Sequence, residues 1–145
     1  MNADLMNANL MNIDSMNIDS KNKPDLDSLK KIECFINLFY QRVLEDELLA
    51  PIFLEVAKID LQVHIPIICA YWEKLLLGGK RYKRHTMNIH RAVAAKTLLE
   101  PKHFQRWLML FLETLEQNYQ GEHAEKAKKI AHHIAQNMER ALVAA

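Results

Sequence analysis

His64 and His90 open and close the stretch HIPIICAYWEKLLLGGKRYKRHTMNIH, in which a nearly uncharged run gives way to a basic loop. Imidazole near neutral pH can move a proton or ligate a metal, and each of these two rings sits among apolar residues. Val63, Ile65, Ile67 and Ile68 surround one, and Met87, Ile89, Ala92 and Val93 the other. Such a histidine is either a half-buried structural ring or a ligand to something bound, and spacing alone leaves both open. The remaining histidines offer less. His132 and His133 are adjacent and point apart, His123 opens a helix among charged neighbours, and His103 falls in a first helical turn beside Lys102, so these read as solvated surface residues. His85 and His90 would lie about 140° apart around a helix, which is not the i, i+4 pair of helical zinc sites. No cluster suits zinc or another transition metal held by side chains alone.

The elements that must position these residues are helical. Ile32, Phe35, Ile36, Phe39 and Val43 recur at three and four, which predicts an amphipathic helix over about 28–45. Pro51 ends that region and Phe53 falls in a short connection. A second helix is expected over about 62–78, stopped by Gly78 and Gly79. Met87 to Lys96 has weaker helical spacing, enough for one or two turns. Pro101 suits a helix start, where its missing N–H costs nothing, and Phe104, Trp107, Leu108, Phe111 and Leu115 form the stripe that follows. Gly121 breaks the chain before a last helix over about 122–142, with Ala127, Ala131, Ala135, Met138 and Leu142 on one side. No run of alternating β-branched residues suggests a sheet, so the expected class is all-α.

A chain of 145 residues with 50% hydrophobic content suits one core. Residues 1–27 stand apart: MNADL MNANL MNIDS MNIDS repeats a five-residue unit rich in Asn, Asp and Ser, with too little apolar surface to offset the cost of ordering. A disordered tail over 1–27 and a helical domain over 28–145 are expected. The longest uncharged run, Leu61 to Trp72, is shorter than the roughly 20 residues of a membrane-spanning helix. Without a basic segment leading an apolar one, a cytoplasmic protein is expected. The net charge of +1 offers no general attraction for nucleic acid or an anionic membrane. Cys34 and Cys69 both have apolar neighbours and read as core thiols rather than a disulfide.

The order His64, Pro66, Tyr71, Trp72, Leu76, Tyr82, His90, followed by HFQRWLMLF from His103 to Phe111, resembles the pattern of the group III truncated haemoglobins. Upstream, FYQRVLEDELLAPIF from Phe39 to Phe53 is similar to that family's first pocket helix and the turn after it. The resemblance covers about 30–142. Arg84 stands where the family commonly has a small turn residue, and Tyr71 where Phe is commoner.

What the resemblance implies is a shortened globin fold, two helices over two, enclosing haem b (iron protoporphyrin IX). His90 matches the proximal ligand of a five-coordinate iron, for which a histidine of ordinary pKa, about 6.5, supplies a neutral nitrogen. Met87 on the same face is the less favoured axial alternative. Tyr40 and Trp107 match the distal donors, and His64 the distal residue nearest the haem entrance. Phe53 matches the aromatic that wedges against the porphyrin. Ile68, one helical turn after His64, would line the pocket, and Trp72 and Tyr82 complete the cofactor contacts. Two neutral donors suit a ligand oxygen carrying partial negative charge better than carbon monoxide. The implied activity is reversible binding of oxygen or another diatomic gas. Turnover of nitric oxide or peroxide would need an electron-donating reductase as partner. The basic run Lys80 to His85 is a solvated loop or, through Lys80, Arg81 or Arg84, a partner for the haem propionates. The residues without the resemblance also fit a cofactor-free helical interaction module with structural histidines.

Overall fold

A computed structural model describes residues 22–56, 60–80 and 99–142. Among these residues the chain forms α1 (Leu29–Glu45), a π-helical turn (Ile52–Val56), α2 (Leu61–Leu77), α3 (Pro101–Asn118) and α4 (Glu122–Leu142), with no strand. The expected all-α class holds. α1 packs on α2, α3 packs on α4, and α1 also crosses α3, which sets two helices over two. The expected turns at Met87 to Lys96 lie outside the described residues, as do residues 1–21.

Each helix begins and ends for a local reason. The Ser28 hydroxyl accepts the Lys31 amide at 3.2 Å and starts α1. The three–four stripe then buries Ile32, Phe35, Ile36, Phe39, Tyr40 and Val43. Asp60 caps α2 by accepting the Gln62 amide at 3.0 Å. Gly78 ends that helix at φ 78°, a left-handed conformation that glycine adopts at little cost. Pro101 is the first residue of α3, as its missing donor favours. Here His103 departs from its expected solvated role: it is half-buried, and its Nδ1 accepts the Glu100 amide at 2.9 Å. On α4, Ala124, Ala127, Ala131 and Ala135 are buried, and their small side chains let that helix approach its neighbours closely. Cys34 is exposed and Cys69 buried, both as free thiols, so only Cys69 is the core thiol that its neighbours suggested. The apolar residues beside Cys34 face inward from the other side of α1.

The body of the fold begins before α1. Leu26 is fully buried, and the Gln120 amide donates to the Pro24 carbonyl at 2.9 Å. Asp25 supplies the cap that α4 lacks at its own N-terminus. One carboxylate oxygen accepts the Ala124 amide at 2.8 Å, and the other accepts the His123 amide at 3.0 Å and lies 2.8 Å from the His123 ring Nδ1. His123 is therefore half-buried against Asp25 rather than free on the surface. Gly121 makes room for this carboxylate, since a Cβ there would come within 2.5 Å of Asp25 Cγ. A residue inside the compositional tail thus tethers the last helix.

Burial pushes the Asp25 pKa up, but the hydrogen bonds from His123 and the Ala124 amide outweigh it and hold the carboxyl below its ordinary 3.8. Asp25 is charged in the folded state to lower pH than in the unfolded chain, so its stabilisation is complete above that ordinary value and fades as pH falls through the folded one. Asp25→Ala is expected to cost about 1–2 kcal/mol near neutral pH. Denaturant unfolding at a series of pH values should show that deficit shrinking in acid, and a deficit independent of pH would contradict the charged cap.

Candidate functional site

Side chains from α1, the π-helical turn and α2 converge on Tyr40. Tyr40 follows Phe39 on the buried stripe of α1, so its ring points inward at the end of the helix nearest the turn. Its ring centroid lies 5.7 Å from that of Phe53 at 76° and 6.0 Å from that of His64 at 86°, both edge-to-face arrangements. Phe53 reaches this place because its amide and that of Ile52 both donate to the Leu49 carbonyl, at 3.3 and 3.0 Å, which winds the turn tightly after Pro51. His64 sits in the first turn of α2, held by its amide on the Asp60 carbonyl at 2.8 Å. Ile68, one turn further on, is partly buried against the same core.

Trp107 joins through one intervening ring. Phe39 is edge-on to Tyr40 at 5.2 Å and to Trp107 at 5.8 Å. Trp107 in turn stacks on Phe111 at 5.3 Å, and Phe111 stacks on Trp72 at 5.0 Å. Of the residues singled out in the sequence, Tyr40, Phe53 and His64 therefore share one ring cluster, with Trp107 one ring away and Trp72 in the core behind Phe111. His90 and Tyr82, with Arg81 and Arg84, lie outside the described residues. Lys80 is exposed at the end of α2.

The polar atoms of this cluster are unusual. Tyr40 is 6% exposed, yet neither its hydroxyl nor the Trp107 indole N–H has a hydrogen-bond partner among the described residues. The other buried tyrosine shows the contrast: the Tyr119 hydroxyl donates to the Lys31 carbonyl at 3.4 Å. Burial, with a smaller contribution from Cys69, pushes the Tyr40 phenol well above its ordinary value, so it remains a protonated donor. Burial likewise pushes the Cys69 thiol up to about 12, which keeps this neighbour neutral and unreactive. The cluster thus offers two neutral donors on aromatic side chains, Tyr40 buried and Trp107 half-buried.

Two side-chain links between α1 and α3 carry no signature in the sequence. Asp46, at the end of α1, is buried and receives Arg106 of α3 at 2.6 Å. Arg42 spans the same two helices, donating to Glu113 at 2.8 Å and to the Thr114 hydroxyl at 3.2 Å.

A crystal structure of a group III truncated hemoglobin from Campylobacter jejuni superposes on this chain with a TM-score of 0.70. The two are 26% identical, and the match covers 81% of this chain and 92% of that one. No protein-family model matches the chain, and neither does any curated protein. The chain has the truncated globin fold, and its resemblance to the group III truncated haemoglobins extends from the residue pattern to the arrangement of its helices.

A buried hydroxyl without a partner destabilises a fold by about 1–3 kcal/mol. Tyr40→Phe keeps the ring and its three edge-on neighbours while removing that orphan. The protein without cofactor should therefore be as stable as the parent or more so, by up to about 1 kcal/mol. Chemical denaturation measures this directly, and a clear loss of stability would make Tyr40 a structural residue.

Proposed function

We propose that the protein is a haem-binding globin that takes oxygen or another diatomic ligand on the Tyr40 side of its haem. The observation that carries this reading is the pair of neutral donors, Tyr40 and Trp107, which have no hydrogen-bond partner among the described residues. A haem b fits the residues present: Phe53, His64 and Ile68 offer apolar or aromatic surface to a flat macrocycle, and Trp72 backs the cluster from the core. His90 would hold the iron as its proximal ligand, and Tyr82 would pack beside the group. When bound, haem supplies a ferrous iron with one coordination position open to a small gas.

The chain's own residues then choose the ligand. Tyr40 would donate its O–H and Trp107 its N–H toward an oxygen atom that gains negative charge, both without a change of protonation. Tyr40 is buried, so its bond would act in a lower dielectric than water and be the stronger for it. His64 stands beside Tyr40 in an edge-on contact, and would be the distal residue nearest the haem entrance. Carbon monoxide gathers less charge, so the donors favour oxygen over it. The same donors serve nitric oxide or peroxide as substrates when an electron-donating reductase renews the ferrous state. Among the described residues no helix is long and apolar enough to cross a membrane, and none of their His, Cys, Asp and Glu side chains forms a cluster that could hold a metal ion.

Spectra of the ferric, ferrous and carbon-monoxide forms test the cofactor. The parent protein is expected to bind added haemin with an intense Soret band, and His90→Gly to lose stable haem or change spin state. A colourless chain that takes up no haemin would instead support a cofactor-free interaction module. If each donor contributes about 1.5–3 kcal/mol to a charged acceptor, Tyr40→Phe should release oxygen roughly 10- to 150-fold faster. Stopped-flow dissociation measures this, and an unchanged rate would remove Tyr40 from its role.

A further inference from the structure

We infer that Asp46 is a positioning residue for the distal donors: its single carboxylate fixes both the turn that carries Phe53 and the part of α3 that carries Trp107. The inference rests on the haem-pocket reading and deepens it. Asp46 ends α1 and is 7% exposed. One of its oxygens, Oδ2, accepts the amides of Leu48 and Leu49 at 3.2 and 3.1 Å. The carbonyl of that same Leu49 receives the Phe53 amide at 3.3 Å, so the carboxylate and the Phe53 ring belong to one short chain of hydrogen bonds. The other oxygen, Oδ1, accepts Arg106 Nε and Nη2, each at 2.6 Å. Arg106 immediately precedes Trp107, and its Nη1 also reaches Met109 Sδ at 3.9 Å. A guanidinium held through two nitrogens sets the rotation of α3 about its axis at this point, and thereby the direction of the next side chain. Tyr40 lies between these two anchored segments, six residues before Asp46 on the same helix.

The Arg42 pairing with Glu113 is the natural control, because it joins the same two helices with the same chemistry but is attached to neither the turn nor the Trp107 segment. Asp46→Asn keeps an oxygen for the two turn amides and loses the charge that holds Arg106. Arg106→Met breaks the contact from the other side.

In the carbon-monoxide complex, both variants are expected to shift or split the bound-ligand stretching band. They should also release oxygen roughly tenfold faster, well inside the ~100-fold that a 1 Å misplacement can cost. Arg42→Met should leave band and rate at parental values. The double variant of Asp46 and Arg106 should add little to either single one, since both break one contact. Without haem, the indole N–H resonance of Trp107, identified by its loss in Trp107→Phe, supplies a separate readout. It should move in the Asp46 and Arg106 variants and stay in Arg42→Met. A chain that takes up no haemin but shows this indole pattern defeats the haem reading and leaves the positioning role standing. Parental spectra and indole signals in both Asp46→Asn and Arg106→Met, or equal changes in Arg42→Met, overturn it.

Discussion

The ring of Phe39 joins the two halves of the molecule. It stands in contact with Phe35 of its own helix, with Phe111 and Trp107 of α3, and with Tyr40 beside it in sequence. The first of these pairs is stacked and the other three are edge-to-face; aromatic pairs contribute about 0.5–1.5 kcal/mol each beyond the burial of area. Their further effect is geometric. A quadrupole that prefers an edge toward its face resists rotation of either ring, so the α1–α3 crossing is specified in angle as well as in distance. Tyr40 and Trp107 both take their orientation from this one ring. The placement of these two rings therefore begins as a packing constraint within the aromatic core.

Stability and function pull against each other at Tyr40. A phenylalanine would make the same three ring contacts, and among the described residues nothing accepts from the hydroxyl. Asp46 also buries a polar group, but there each oxygen finds donors from backbone or guanidinium. Among the described residues, then, the buried carboxylate of Asp46 is satisfied while the buried hydroxyl of Tyr40 is not. Preorganised donors of this sort need no reorganisation when charge develops beside them, which is the source of their strength.

How much of this was legible in the sequence depended on distance along the chain. The stripes of α1 and α3, the start at Pro101, the stop at Gly78 and the alanine face of α4 are local patterns, and spacing alone placed them closely. The meeting of Tyr40, Phe53 and His64 was not readable from spacing; it came from likeness to a family pattern. Arg106 and Asp46 are separated by 60 positions, and nothing local marks either as the other's partner. Asp25 was hidden differently, because the Asn, Asp and Ser content around it describes a solvated tail while one carboxylate caps a helix 98 residues away. Cys34 misled because neighbours in sequence occupy different faces of a helix: Phe35 and Ile36 are buried, and Cys34 is not.

Charge and aromatic surface are sorted by location. The ion pairs Arg42 with Glu113, Arg106 with Asp46 and His123 with Asp25 lie around the rim of the packed helices, each joining segments distant in sequence. Around Tyr40 the described groups are of another kind: a phenol whose pKa burial has raised, a thiol raised to about 12, an indole that does not titrate, and the His64 imidazole edge-on to the phenol. A phenol and an indole respond only to charge that appears on an acceptor, whereas an imidazole can change its own charge near neutral pH. Any pH dependence of this cluster would therefore enter through the imidazole and not through the phenol, the thiol or the indole.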